Sequence, residues 1–561
     1  MAFGLTYKKN SFFIETTSDS VFTNEVFTGS RISHLLSFAG LLTEKEDFKE
    51  QIALNHELNH AVQDLSISSS IVEGEFRDTI KAYCAIISQI KGIKYPICDE
   101  ENRSWNNHVV SSNQENKKNL DILYFLHDLY EMIFLEAYVK PDTLEFKIYS
   151  QNESFYSYYD LSVTDLLETY AHHKSYWEQY LITPMDDEKV NILHQLTEEA
   201  NLYPYHKTDK GFEFSVKFLK YAKPYHIVHA MLMVINRFDT KALADYYENT
   251  IPKDYTTSEG YLMMRLTMSV LETSLCIPSM DYIIQSIMKN EDAFVSYSPV
   301  HRFYKILKNI YEADSLPDLK DGEDYFITFH NWIAAQNGWL DYETTMSTIF
   351  RSLYHRAVEG KEVISNYQMT ALTYKFENLT TSTYIYPLEI FRRVNMPIMI
   401  KVRENLVSLF FLGNHVKNET GLLRFTDLYF HPMDLDGKTG IVKYQNISEQ
   451  LPFNENLKHI MNNALGAQRE IVIRMLAYET LKALTKRGHF SCPLRDGLCP
   501  HGCETCSSFT SFHDIAPHCN RNILRGPAEK LILDNNEGNS IDCMLFDYLL
   551  DYGFNPLVFE R

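Results

Sequence analysis

The chain lacks any run of about 18 uninterrupted apolar residues, the length a membrane-spanning helix needs, so no span is expected. Met1 to Ser20 contains no basic segment leading into an apolar run and a small-residue cleavage site. No secretory leader is therefore expected, and the working compartment reads as the cytosol. Basic charge is also short: 53 Lys and Arg face 74 Asp and Glu, a formal net charge of −21. Such a surface repels phosphate backbones and anionic headgroups, which argues against general nucleic-acid binding and against a membrane-surface role. No internal repeat or low-complexity tract is present, so no solenoid is indicated. Outside one short segment cysteine is sparse, and Cys84, Cys98, Cys276 and Cys543 read as small buried hydrophobes.

What is present is a helix with chemistry on one face. Thr43 followed by Glu46 reads as a capping box, from which a helix runs to about Leu65 without meeting Pro or Gly. Leu54, Leu58, Ala61 and Leu65 form one apolar stripe at spacings of four, three and four. At about 100° per residue, His56 and His60 fall on the far side of the cylinder, and Gln63 continues their face one turn later. Two imidazoles one turn apart can share a divalent ion. The intervening Glu57 stands where it can take a proton from metal-bound water.

At His56-Glu57-Leu58-Asn59-His60 the chain resembles the zincin metallopeptidases, the His-Glu-x-x-His superfamily. The stretch from His56 to Gln63 is also similar to a variant, common among bacterial proteins, in which a Gln follows three residues after the second His. The resemblance implies catalytic zinc on His56 and His60 with Glu57 as general base. A catalytic zinc needs a third protein ligand and one open position. The metzincin form would need Gly and His soon after His60, and Ala61 to Glu73 supplies neither. A Glu from a later helix is the gluzincin solution. Glu168 is the first choice: it follows a capping signal at Ser162, it lies early in an amphipathic helix, and the small Ala171 lies three positions on. Position 172 is His where the gluzincin pattern has Asp. Glu136 and Glu272, both on apolar helical stretches, are rival ligands.

A second cluster lies near the far end of the sequence. Cys492, Cys499, Cys503, Cys506 and Cys519 fall within thirty residues, with Pro500 and Gly502 permitting tight turns. An odd total of nine cysteines and the missing leader favour reduced thiols over a disulfide framework. Four thiolates on short loops suit one closed structural zinc site, with Cys503 and Cys506 the firmest ligands. The spacing Cys499-x3-Cys503-x2-Cys506 also resembles the radical S-adenosylmethionine motif, without room after it for that family's barrel, so an iron–sulfur cluster is the alternative occupant.

The expected fold is predominantly α with minor β: a zincin-like metallopeptidase region over 1–310, a mixed lobe of helices and strands over 311–488, and a cysteine-rich zinc module over 489–561. Within it, 94–118 reads as a surface loop and Leu120 to Val139 as a helix. Thr143 to Tyr159 reads as a hairpin beside the metal helices, whose edge could take an extended substrate by strand addition. Val190 to Asn201, Tyr225 to Phe238, Gly260 to Met288 and Asn456 to Arg487 read as helices, and Val407 to Leu412 and Leu422 to Tyr429 as short strands. The functional expectation is a zinc-dependent peptidase acting on a protein or peptide. The alternative is a non-enzymatic zinc scaffold that binds a partner, in either case with a bacterial stress or anti-phage response as a conceivable setting.

Overall fold

The computed structural model describes residues 5–8, 13–16, 45–88, 90–94, 96–135, 145–150, 161–182, 205–216, 228, 231–232, 259–317, 325–360, 398–402, 405–409 and 442–443. Among these residues helices predominate, and none is long and apolar enough to cross a membrane. The cysteine-rich segment, Glu136, the spans Val190 to Asn201, Leu422 to Tyr429 and Asn456 to Arg487, and the capping pair's Thr43 lie outside the described residues.

Helix α1 (Lys45–Ser66) carries the His56 to His60 motif. Leu58, Ala61 and Leu65 are fully buried while His56 and His60 remain partly exposed, as the periodicity requires; the Leu54 side chain lies outside the described ones. The helix breaks at Ile67, where the Ser66 hydroxyl bonds back to the Val62 carbonyl and competes with the backbone ladder. Helix α2 (Ser68–Ser88) follows at once.

The stretch expected as a loop over 94–118 instead holds helix α3 (Glu100–Val110) and the start of α4 (Gln114–Tyr130). Asp99 caps the first by accepting from the Glu101 N–H, and Asn113 caps the second by accepting from the N–H groups of Glu115 and Asn116. The polar composition misleads because α3 buries little beyond Asn106 and Val110. Asn106 is fully buried and bonds the N–H and carbonyl of Lys94 and the carbonyl of Ile97, so its amide pins the preceding turn. Helix α4 runs into a π turn over Glu131–Leu135.

Helix α5 (Val163–Ile182) carries Glu168. Its start is a reciprocal box: the Ser162 hydroxyl accepts from the Asp165 N–H, and the Asp165 carboxylate accepts from the Ser162 N–H. The span read as one helix from Gly260 is two, α6 (Glu259–Leu275) and α7 (Met280–Lys289), because Pro278 cannot continue the ladder. Helices α8 (Pro299–Glu312), α9 (Tyr325–Asn337) and α10 (Tyr342–Gly360) complete the described helical layer. Leu166, Leu167 and Tyr170 of α5 join Leu271 of α6, Phe303 of α8 and Phe329 of α9 in one apolar core that also takes in Val228, Met231 and Leu232. The backbone around Glu168 is thereby clamped from behind.

The described strands form two small sheets. One has the order β1-β2-β6-β7-β8: β1 (Leu5–Lys8), β2 (Phe13–Thr16), β6 (Ile398–Val402), β7 (Asn405–Leu409) and β8 (Val442–Lys443). Strand β1 is its edge, and β2 pairs parallel with β6, with Phe13 opposite Met399. This sheet therefore crosses the boundary expected at 310. The other has the order β3-β5-β4: β3 (Glu145–Ser150), β4 (Tyr205–Lys207) and β5 (Gly211–Val216). The hairpin expected over Thr143 to Tyr159 is not the pairing seen for β3, which runs parallel to β5 across a long crossover. Phe212 and Phe214 of β5 point into the core, which fixes its register against β3.

Candidate metal centre

The polar face of α1 meets the polar face of α5. His56 and His60 lie one turn apart with ring centroids 4.7 Å apart, nearly perpendicular. Their Nε2 atoms are 3.1 Å apart, and Glu168 reaches both, with Oε2 3.2 Å from His56 Nε2 and Oε1 3.4 Å from His60 Nε2. Zinc bound at about 2.1 Å to tetrahedral ligands separates them by roughly 3.4 Å, so all three spacings fit a single ion of that size. Ala171, fully buried on α5, presents no bulk between the helices. The Glu168 side chain is 35% exposed against 14% for His60, so the group opens toward solvent on the carboxylate side, where a water or substrate atom can enter.

Gln63 fixes the chemistry of His60. Its side-chain amide donates from Nε2 to the Leu167 carbonyl at 2.8 Å, and a carbonyl can only accept. Oε1 must then face His60 Nδ1, 2.9 Å away, so that nitrogen carries the proton. A neutral His60 therefore presents a bare lone pair at Nε2, aimed at His56 Nε2 and at a carboxylate. A lone pair beside a second ring nitrogen and a carboxylate calls for a proton or a cation among them. In the cation-free protein a proton meets the need: burial alone would lower the His60 pKa, but the Glu168 carboxylate, with help from Glu57, carries it up to about 9. Burial would likewise raise Glu168, yet hydrogen bonds from His56 and His60 hold it well below the usual carboxylate range. A divalent cation can replace that proton, and the donor set, two imidazoles and a carboxylate, suits zinc.

Glu57 sits beside the group. Burial raises its pKa, opposed by His56, His60 and the Tyr7 N–H. That N–H, from strand β1, donates to Glu57 Oε2 at 2.6 Å. The Tyr7 ring lies nearly parallel to His60, and its hydroxyl donates to Asp64 Oδ2 at 2.8 Å. Nothing in the motif announces Tyr7, which lies fifty residues upstream on a strand. His172, one turn after Glu168, brings its ring within 6.4 Å of His56, edge to face.

The other expected ligands divide plainly. Glu272 is buried on α6, where burial together with Cys276 and Glu272 pushes up the Tyr342 hydroxyl; it does not join the histidines. Glu136 and the ligands expected of the second zinc, Cys492, Cys499, Cys503, Cys506 and Cys519, lie outside the described residues. Cys84, Cys98 and Cys276 are buried and in no disulfide, as small hydrophobes would be.

Among the described residues one further group, His127, Asp128 and Glu131, has metal-capable atoms close together. Arg103 already serves it, with Nη1 3.0 Å from Asp128 Oδ2, Nη2 on Asp128 Oδ1, and Nη2 3.2 Å from His127 Nδ1. A cation there would have to displace a bidentate guanidinium, so this is an ion-pair network. Compared with protein-family models, curated proteins and solved structures, the chain matches none, so the geometry of His56, His60 and Glu168 carries the functional reading by itself.

Proposed function

We propose that this chain is a zinc-dependent metallopeptidase with a zincin-like core, in which His56, His60 and Glu168 hold the metal and Glu57 is the general base. One observation carries the reading: two ring nitrogens 3.1 Å apart, each 3.2 to 3.4 Å from an oxygen of the Glu168 carboxylate, with the half-buried Glu57 carboxylate beside them on α1. Zinc, when bound, supplies a Lewis acid and lowers the pKa of a coordinated water toward about 7.

The chain's own groups do the rest. Gln63 holds His60 in the tautomer that frees Nε2, and the core behind α5 holds Glu168. Glu57, with Oε2 tied to the Tyr7 N–H, has Oε1 available to accept the proton of the attacking water and return it to the departing amine. Burial raises Glu57 above an ordinary carboxylate, which suits both halves of that transfer near neutral pH. The cysteine cluster from Cys492 to Cys519 is proposed to hold a second, structural zinc.

Zinc counting and hydrolysis of a random-sequence mixture of internally quenched peptides test the reading together. The full chain should hold two zinc ions and cleave. Glu57→Gln should keep both ions and lose cleavage, and His56→Ala should lose one ion. One zinc insensitive to His56→Ala, with no hydrolysis by the wild type, would favour a zinc-bearing scaffold.

A further inference from the structure

Strand β1 reaches the proposed site from a different part of the fold, and it does so through one residue. Tyr7 touches the motif helix at three points: its N–H on Glu57, its ring on His60, its hydroxyl on Asp64. These contacts span two turns of α1. Because β1 is the edge among the described strands of its sheet, amides alternate between its partner β2 and the side that faces α1. The Tyr7 amide is one that faces outward, and it is spent on a carboxylate.

A carboxylate on a long side chain has freedom that a proton-transfer group cannot use, and a charge-assisted bond to backbone removes it. Glu57 Oε2 is so bound, at 2.6 Å, while Oε1 takes no hydrogen bond from the described residues. We propose that Tyr7 is a positioning residue for the reaction proposed above, its backbone N–H fixing Glu57 Oε2 so that Oε1 is presented to the attacking water. The inference rests on that hydrolytic reading. The ring and hydroxyl hold the strand in place; the amide is the functional group.

Proline tests this directly, since Tyr7→Pro deletes the N–H and an outward-facing amide on an edge strand is where proline is tolerated. In the zinc-loaded full chain, cleaving the same quenched peptide mixture, Tyr7→Pro should lower kcat tenfold or more, a part of the roughly 100- to 10,000-fold that general-base catalysis supplies. KM should stay within about twofold and both zinc ions should remain, because the deleted amide already serves Glu57 and no proposed ligand is removed. Tyr7→Phe, which keeps the amide and ring and removes only the hydroxyl's bond to Asp64, should lower kcat far less than Tyr7→Pro.

Residue-resolved hydrogen exchange gives an arm that needs neither turnover nor a folded proline variant. Glu57→Ala should speed exchange of the Tyr7 amide roughly 10- to 100-fold, the worth of a hydrogen bond to a charged group, and leave the amides of Thr6 and Lys8 unchanged. Wild-type kcat in zinc-loaded Tyr7→Pro, or unaltered Tyr7 exchange in Glu57→Ala, would overturn the inference. A wild-type chain that fails to cleave at all instead sinks the hydrolytic reading on which it stands, while the exchange result still decides whether Tyr7 grips Glu57.

Discussion

Replacing Gln63 with Leu should weaken zinc binding at the helix site without touching a ligand. Gln63 is 2% exposed and bridges the two helices that would supply the proposed ligands, accepting from His60 Nδ1 and donating to the Leu167 carbonyl next to Glu168. Leucine fills similar volume and offers neither contact. His60 then loses the group that orients its ring and holds its tautomer, a loss that typically costs about 10- to 100-fold in metal affinity. The cation-free protein should also lose about 1 to 3 kcal/mol, since a buried imidazole N–H is stranded. Gln63→Glu separates the two effects. A carboxylate can accept from Nδ1 but cannot donate to Leu167, so affinity should stay near wild type while stability falls. Competition with a chromophoric zinc chelator reads the first quantity, and urea denaturation with chelator present reads the second. Zinc affinity in Gln63→Leu within twofold of wild type would refute the reasoning, because the ring would then be held by something other than the amide.

Two further outcomes follow from the core. His330 is fully buried, and burial, reinforced by Arg302, lowers its pKa from 6.5 to about 3. The unfolded chain binds a proton near pH 6.5 that the folded protein refuses, so His330 costs stability progressively as pH falls from 6.5 toward 3. Between pH 7 and 5 the loss is about 2 kcal/mol. The stability difference between wild type and His330→Phe, measured by urea unfolding at both pH values, should shift by that amount; equal differences would count against a neutral buried ring. Ser68 joins α2 to the end of α6, its hydroxyl donating to the Leu275 carbonyl at 3.0 Å and accepting from the Ile277 N–H at 2.8 Å. Ser68→Ala strands both buried backbone groups and should cost about 2 to 3 kcal/mol by the same method, with a loss under about 0.5 kcal/mol inconsistent with the bridge.

The parts of this molecule that could be read from sequence are those governed by local rules. The stripe through Leu58, Ala61 and Leu65 determines which side of α1 faces the apolar core, and that alone puts His56, His60 and Gln63 together on the other face. The Ser162 and Asp165 pair marks the start of α5 and so the place of Glu168 in its first turns. Helix α3 escaped because its cap, Asp99, opens a helix with almost no apolar face to give it a period. Whether β3 would pair with its neighbour or with β5 depends on contacts more than sixty residues away, which alternation in one strand cannot encode. Tyr7 was illegible for the same reason. Its partners Glu57, His60 and Asp64 are brought to it by tertiary packing of a strand on a helix.

The parallel pairing of β2 with β6 ties the strand pair beside the candidate metal centre to a stretch of polypeptide translated much later. A two-stranded ribbon is marginal in water, so β1 and β2, held on one side by the Tyr7 contacts to α1, gain their second support only once Ile398 to Val402 has left the ribosome. At about 5–20 residues per second that interval is roughly 20 to 80 s. The histidine pair and Glu168 are synthesised early, yet the backbone amide that steadies Glu57 arrives in position late. A nascent chain can thus gather the proposed metal ligands well before the strand beside them has its full support.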